Sequence, residues 1–174
     1  MIRPMNNFIV RFFIFFAVVF GAIFLLVWFY LSFTSPVEAA ELPRPQAEQS
    51  SVTFEKGRVR LLSPYGARDI AVEIAKSYDQ HKQGLMWRKA LAPNTGMLFV
   101  YKRSQTVTMW MKNTLIPLDM LFADKLGRIM FIAENTTPMS EAMIQAPGLM
   151  KYVLELPAGT VKRLSISVGQ RFTF

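Results

Sequence analysis

The chain predicts a mainly β (α+β) fold: a compact antiparallel β barrel or sandwich with short helices, preceded by an apolar N-terminal segment. Three observations carry this expectation. Short runs of alternating apolar and polar residues recur from Arg58 onward, the period of a half-buried strand. Glycine, proline and asparagine separate these runs at close spacing, as turns require. Helical patterns are few and brief, too short for repeated strand–helix–strand units.

The apolar segment comes first. Residues 12–33, FFIFFAVVFGAIFLLVWFYLSF, carry no charge. As a helix rising ~1.5 Å per residue they reach roughly 33 Å, enough for a hydrocarbon core of about 30 Å. The chain is 52% hydrophobic with mean hydropathy +0.25, and this run supplies the excess. Trp28 and Tyr30 fall near its end, where amphipathic rings favour the interface. Residues 1–11 are a basic lead with Arg3 and Arg11, which favours an inside N-terminus. Two readings stay open, a transmembrane helix retained as a signal anchor, or a signal peptide cleaved near VEA at 37–39. The run exceeds the roughly 7–15 apolar residues of a usual signal, which favours retention. Either reading places the main domain outside the cytoplasm, membrane-anchored at a periplasmic or outer face, or secreted or periplasmic after cleavage.

Residues 34–57 read as a flexible tether, rich in proline and small polar side chains and poor in apolar ones. Residues 58–174 are the right size for one domain with one core. Within it, RVRLL at 58–62 and ARDIAVEIA at 67–75 alternate about the turn SPYG, a hairpin signal. Ser77 and Gln80 match a capping box opening a short helix over about 78–86, with Gly84 inside it. GMLFVY at 96–101 and TVTMWM at 106–111 read as strands separated by the turn KRSQ. PLDMLFAD at 117–124 and RIMFIAEN at 128–135 form a second hairpin through KLG. The piece TTPMSEAMIQAPG reads as irregular. A strand over 150–156, a helical turn over 160–164 and the closing strand SVGQRFTF complete the domain.

The absence of cysteine excludes disulfides, thiol nucleophiles and cysteine metal sites. The single histidine, His81, lies among polar side chains of the short helix and is expected to face water, so a serine–histidine–acid triad lacks support. No His, Asp or Glu spacing suits a hard metal, and Met109 with Met111 reads as core filler rather than a copper site. The glycines match no nucleotide-binding motif. No catalytic residue, metal or cofactor is assigned. The net charge of +8 is spread over the domain without a basic stripe, so nucleic acid is not an expected partner. The expected partners are the membrane, through residues 12–33, and an envelope glycan, a peptide or a membrane protein.

The most unusual stretch is WMKNTLIPLD at 110–119, where lysine, amide, hydroxyl and carboxylate interrupt an apolar run. On a strand, Trp110 is out of phase with Met109 and Met111. If the methionines face the core, Trp110 lies near the surface beside Lys112 and Asn113. The candidate ligand-binding set is Arg88, Trp110, Lys112, Asn113, Thr114 and Asp119. Lys112 would hold an anionic or hydroxyl-bearing ligand and Asn113 would orient it. The competing arrangement is a Lys112–Asp119 ion pair that only closes a turn.

QGLMWRKAL, GMLFVY, WMKNTLIPLDMLFAD, GRIMFI and YVLELPAGTVKRLSI resemble, in that order, the segments of the DUF192 family. The resemblance covers roughly 68–174. It implies a β-rich, barrel-like domain with short helices, often exported or lipid-anchored, whose biochemical function is undetermined. The positions it marks include Gly84, Arg88, Gly96, Trp110 to Thr114, Pro117, Asp119, Tyr152, Glu155 and Gly159. Many relatives carry a cysteine before the YVLELPAG segment; here that loop is EAMIQAPGLM. The expected function is an extracytoplasmic, membrane-tethered binding or accessory domain for envelope carbohydrate or peptide. The alternatives are a hydrolytic or other enzyme acting on envelope material, and a structural partner of a membrane protein.

Overall fold

A computed structural model of the chain describes residues 28–30, 52–63 and 65–174. Trp28, Phe29 and Tyr30 form a helical, exposed piece. Among the described residues no helix is long and apolar enough to cross a membrane. The rest of the predicted span and most of the predicted tether lie outside the described residues.

The domain runs β1 (Glu55–Ser63), β2 (Gly66–Ala75), α1 (Tyr78–Gln83), β3 (Thr95–Gln105), β4 (Thr108–Met109), β5 (Leu118–Ala123), β6 (Ile129–Ala133), β7 (Ile144–Gln145), β8 (Met150–Pro157), α2 (Thr160–Leu164) and β9 (Arg171–Thr173). Seven strands form one sheet in the order β6-β5-β8-β3-β2-β1-β9, and β4 pairs with β7 separately.

The predicted first hairpin is present, in register from Glu55↔Ile74 to Ser63↔Gly66. β1 nevertheless starts at Glu55, so Glu55, Lys56 and Gly57 belong to the sheet and not to the tether. Their backbone groups find partners on β2, and the bare Cα of Gly57 leaves room for Ile74, whose Cδ1 would lie 2.6 Å from an added Cβ. The capping box also forms. Ser77 Oγ accepts from Gln80 N at 3.2 Å, and Gln80 Oε1 accepts from Ser77 N at 3.0 Å. α1 stops at Gln83, short of the predicted end, because Gly84 turns to φ 45°, ψ −134°.

The strand neighbours are not all antiparallel, contrary to expectation. β2 and β3 are parallel, from Ala71↔Thr95 to Ala75↔Phe99. Residues 76–94, with α1 among them, supply the long crossover that a parallel pair demands. β3 also runs through the predicted KRSQ turn to Gln105. The predicted strand over 106–111 is reduced to the two residues of β4, whose partner β7 lies in the segment that reads as irregular. The neighbouring pairs β3–β8, β5–β8 and β5–β6 are antiparallel as expected.

The sheet curls until its two edges touch. Arg128, just before β6, bridges Arg171 of β9. Around that bridge Ile129 N donates to Gln170 O at 2.8 Å, Gly169 N to Ile129 O at 2.8 Å and Phe172 N to Gly127 O at 3.0 Å. The concave interior is filled by Val59, Leu61, Ile70, Val72, Leu98, Leu121, Leu154 and Phe172, with Val161 of α2 packed among them. A second apolar layer lies on the outer face of β3, β8 and β5, where Met97, Phe99, Met120, Phe122 and Val153 meet Val107, Met109 and Met111. β5 is therefore buried throughout, which explains why Met120 to Ala123 run apolar in place of alternation, with the buried Asp119 the one polar side chain of the strand.

Gly127 sits at the point of closure. Its φ is +72°, and an added Cβ would collide with the Phe172 carbonyl. Gly127→Ala is expected to destabilise the domain by about 2 kcal/mol or more, from left-handed strain plus displacement of the closing strand. A lowered urea midpoint with unchanged slope checks this; an unchanged midpoint would show that the edges are not held together there.

Candidate functional site

Strand alternation decides which side chains can meet. On β3, Phe99 and Tyr101 project to the outer layer and Leu98 to the interior. On β8, Val153 is in the outer layer while Leu154 and Leu156 are interior, so Glu155 shares the outer side with Val153. Glu155 is opposite Met97 on one neighbour and Met120 on the other, and is 4% exposed. Its residual exposure opens onto a cavity of about 280 Å³. Burial alone pushes its carboxyl up to about 8, because an ionised oxygen pair loses its hydration there. Among the described residues no donor or cation reaches that carboxyl.

The other walls come from three elements. α1 contributes Tyr78, His81 and Lys82. Contrary to the sequence expectation, the His81 ring is half-buried rather than turned to water. Its Nε2 donates to Ala75 O at 3.0 Å, and the ring lies 4.7 Å from Tyr101 and 5.7 Å from Phe99, centroid to centroid. The capping box and the glycine at the helix end bring α1 down onto β3; an added Cβ on Gly84 would stand 3.2 Å from Phe99 Cζ. β3 contributes Tyr101, whose phenol is pushed up by burial first and by the neighbouring Glu155 second. Its hydroxyl is 3.5 Å from Met109 Sδ.

The third wall is the exit of β4. Met109 and Met111 are buried while Trp110 is 39% exposed, so the methionine face is the core face. Lys112 Nζ stands 5.3 Å from the Trp110 ring centroid and 3.2 Å from Glu141 Oε1. Thr114 is buried, and its hydroxyl donates to Lys112 O at 3.3 Å. Trp110, Lys112 and Thr114 all line the cavity. A shallower groove of about 450 Å³, lined by Thr108, Met109, Trp110, Met143 and Gln145, shares the Trp110 wall.

The remaining predicted residues do not join them. Asn113 shapes the turn: its φ is 56°, its carbonyl accepts from Trp87 N at 2.8 Å, and its amide lies 3.8 Å from Met86 Sδ. Arg88 is ion-paired with Glu73 of β2 in a different groove, beside Lys56 and Leu91. Asp119 is out of phase with Leu118 and Met120, so it points to the barrel interior and is fully buried. Its Oδ1 accepts from Asn135 N at 2.9 Å and its Oδ2 from Val161 N at 2.8 Å. α2 begins after Gly159, which has no side chain to cap it, and Asp119 supplies the missing acceptor from another strand. Lys112 and Asp119 therefore neither pair nor converge; the partner of Lys112 is Glu141.

Glu155, Tyr101 and His81 are absent from the predicted ligand set. The chain does carry one signal for Glu155: a single acid inside YVLELP, in an otherwise apolar strand. Among the described residues no group of three His, Cys, Asp or Glu side chains could hold a metal ion.

Fold and site together define a curled, barrel-like β domain with a small, aromatic-walled cavity floored by a buried carboxyl. Residues 61–174 match the model of DUF192, an uncharacterised ACR family, and the chain belongs to that family. It is similar to a solved protein from Sinorhizobium meliloti 1021, presented as a candidate transcription regulator, at 50% identity and TM-score 0.68, covering 70% of this chain and 95% of that one. It is also similar to a protein of unknown function from Novosphingobium aromaticivorans DSM 12444, at 32% identity and TM-score 0.68, covering 70% of this chain and 86% of that one. No curated protein matches the chain.

Proposed function

We propose that the protein is a membrane-tethered, extracytoplasmic binding domain whose cavity takes a saccharide unit of envelope carbohydrate. The observation that carries the reading is the cavity itself, lined by the partly exposed Trp110 ring together with polar side chains of Glu155, Lys112, His81 and Thr114. A ring face beside convergent donors and acceptors suits a hydroxyl-rich ligand better than a purely apolar one. The uncharged run over 12–33 supports the tether and the location outside the cytoplasm. The regulatory description of the Sinorhizobium relative is not carried across, because the basic side chains here are scattered rather than gathered into a stripe.

Binding is preferred to hydrolysis. Most glycoside chemistry needs two carboxyl groups flanking one bond. Among the described residues lining the cavity, Glu155 is the only carboxyl.

The test is a titration of the full chain in detergent with monosaccharides and short envelope glycans, followed by tryptophan fluorescence and by NMR. Trp110→Ala is expected to weaken binding at least about tenfold, the scale of a ring truncated at the centre of a contact. Its melting temperature should change little, since the ring is partly exposed. Unchanged affinity in that variant would remove the cavity from the binding reaction. Binding of peptides but not glycans would transfer the site to a peptide ligand.

A further inference from the structure

We infer that the cavity recognises a ligand bearing a primary ammonium group, seated against the Glu155 carboxyl, and that the saccharide it takes is an amino sugar with a free amine. The inference rests on the proposed saccharide site and narrows its chemistry.

The geometry points to a cation at the floor. Glu155 is an acid at the centre of a buried strand, 4% exposed, with its open side toward the cavity. A mostly buried carboxyl with no protein partner is costly even where its oxygens still reach the cavity, and an ordinary core would place an apolar side chain there. Proteins keep such a group where something else completes it. Phe99, Tyr101 and Trp110 line the same cavity. Aromatic faces attract cations electrostatically, and the effect grows when water is excluded. An ammonium at the floor would thus meet a carboxylate and ring faces together.

The charged and titratable groups facing the cavity set the rest of the ligand. From α1 these are Tyr78, His81 and Lys82, from β3 Tyr101, and from the turn after β4 Lys112. Lys82 is exposed and Lys112 half-exposed, so both stand at the rim. A bare alkyl cation would be opposed there. A ring carrying one amine among several hydroxyls gives the rim ammonium groups acceptors while the amine reaches the floor. Lys112 is drawn outward by Glu141 and Trp110, which leaves the Glu155 side free for the guest.

Proton balance supplies the signature. With its pKa near 8, the free carboxyl is mostly protonated at neutral pH. Pairing with an ammonium requires the ionised form, so binding must expel the carboxyl proton to solvent. Affinity therefore rises with pH below that value, by up to about tenfold per pH unit. A neutral ligand that hydrogen-bonds the protonated acid shows no such rise.

The experiment uses the full chain in detergent with three probes: 2-amino-2-deoxyglucose, glucose and propylammonium. Calorimetry at about pH 5.5 and about pH 7, in two buffers of different ionisation enthalpy, reads affinity and protons released. The expected result is that the amino sugar binds more tightly than glucose, gains more than about tenfold across that range, and releases about one proton. In Glu155→Gln, with melting temperature confirming the fold, the gain and the proton release should vanish. Equal, pH-independent binding of both sugars would overturn the ammonium inference and leave the saccharide reading standing. Proton-releasing binding of propylammonium alone would keep the ammonium site and overturn the saccharide. Binding of none of the three would overturn both.

Discussion

Replacing Glu155 with glutamine will flatten the pH dependence of stability between about pH 4.5 and 8. In the folded domain burial raises this carboxyl to about 8, against an ordinary value of 4.5. Between those values the folded state holds a proton that the unfolded chain has released. The unfolded state then binds fewer protons than the native one, so native stability falls as pH rises through this window. Each pH unit across the window is worth about 1.4 kcal/mol, and the whole of it has an upper bound of about 5 kcal/mol. Glutamine cannot ionise and carries no such slope. Near the acid end of the window the two proteins should be close in stability, apart from the cost of fitting an amide in the carboxyl's place. At its alkaline end and above, the variant should be the more stable. Urea midpoints of both proteins across this range decide the matter, because the difference between them cancels the titration of other groups. Parallel curves would mean that Glu155 is ionised and solvated, and the cavity floor would lose its chemical character.

Asp119→Ala will unfold the domain more readily while leaving the cavity chemistry intact. The side chain accepts hydrogen bonds from the backbone of Asn135 and Val161, and it is fully buried. Alanine leaves the buried Val161 N–H without a partner, at about 1–3 kcal/mol, and removes the acceptor of the part-buried Asn135 N–H at a smaller cost. A loss of about 2–4 kcal/mol follows, together with fraying of α2, whose own cap position is glycine. Asp119→Asn keeps one acceptor oxygen and should lose less. Thermal melts with circular dichroism measure the first effect. Ligand binding at a temperature where the variant is folded measures the second. Normal stability with lost binding would return Asp119 to the ligand site; lost stability with normal binding fits its place on the inner face.

This residue shows where chain order stops being informative. WMKNTLIPLD is legible as the polar interruption of an apolar segment, and Trp110, Lys112 and Thr114 do come to one cavity. The same stretch also suggests that Lys112 and Asp119 face each other. They are separated by strand phase: Asp119 turns inward while Leu118 and Met120 turn to the outer layer. Arg88 is lost to the site for a comparable reason, since its side chain reaches Glu73 on β2. The polar neighbours of His81 suggest water, but a helix of one and a half turns has little freedom once Ser77, Gln80 and Gly84 anchor its ends. Its inner face is then set by β3.

Local chemistry is written along the chain: the β1–β2 and β5–β6 hairpins in their turns, α1 in its capping box, and the family in its motifs. These depend on neighbours within a few residues, so a linear reading reaches them. The parallel pairing of β2 with β3, the closure at Arg128 and Arg171, and the union of Glu155 with His81, Tyr101 and Lys112 depend on residues far apart in the chain. Only packing brings them together, because the curled sheet must bury apolar side chains on both faces of β3, β5 and β8. That requirement puts a lone acid under an aromatic cavity.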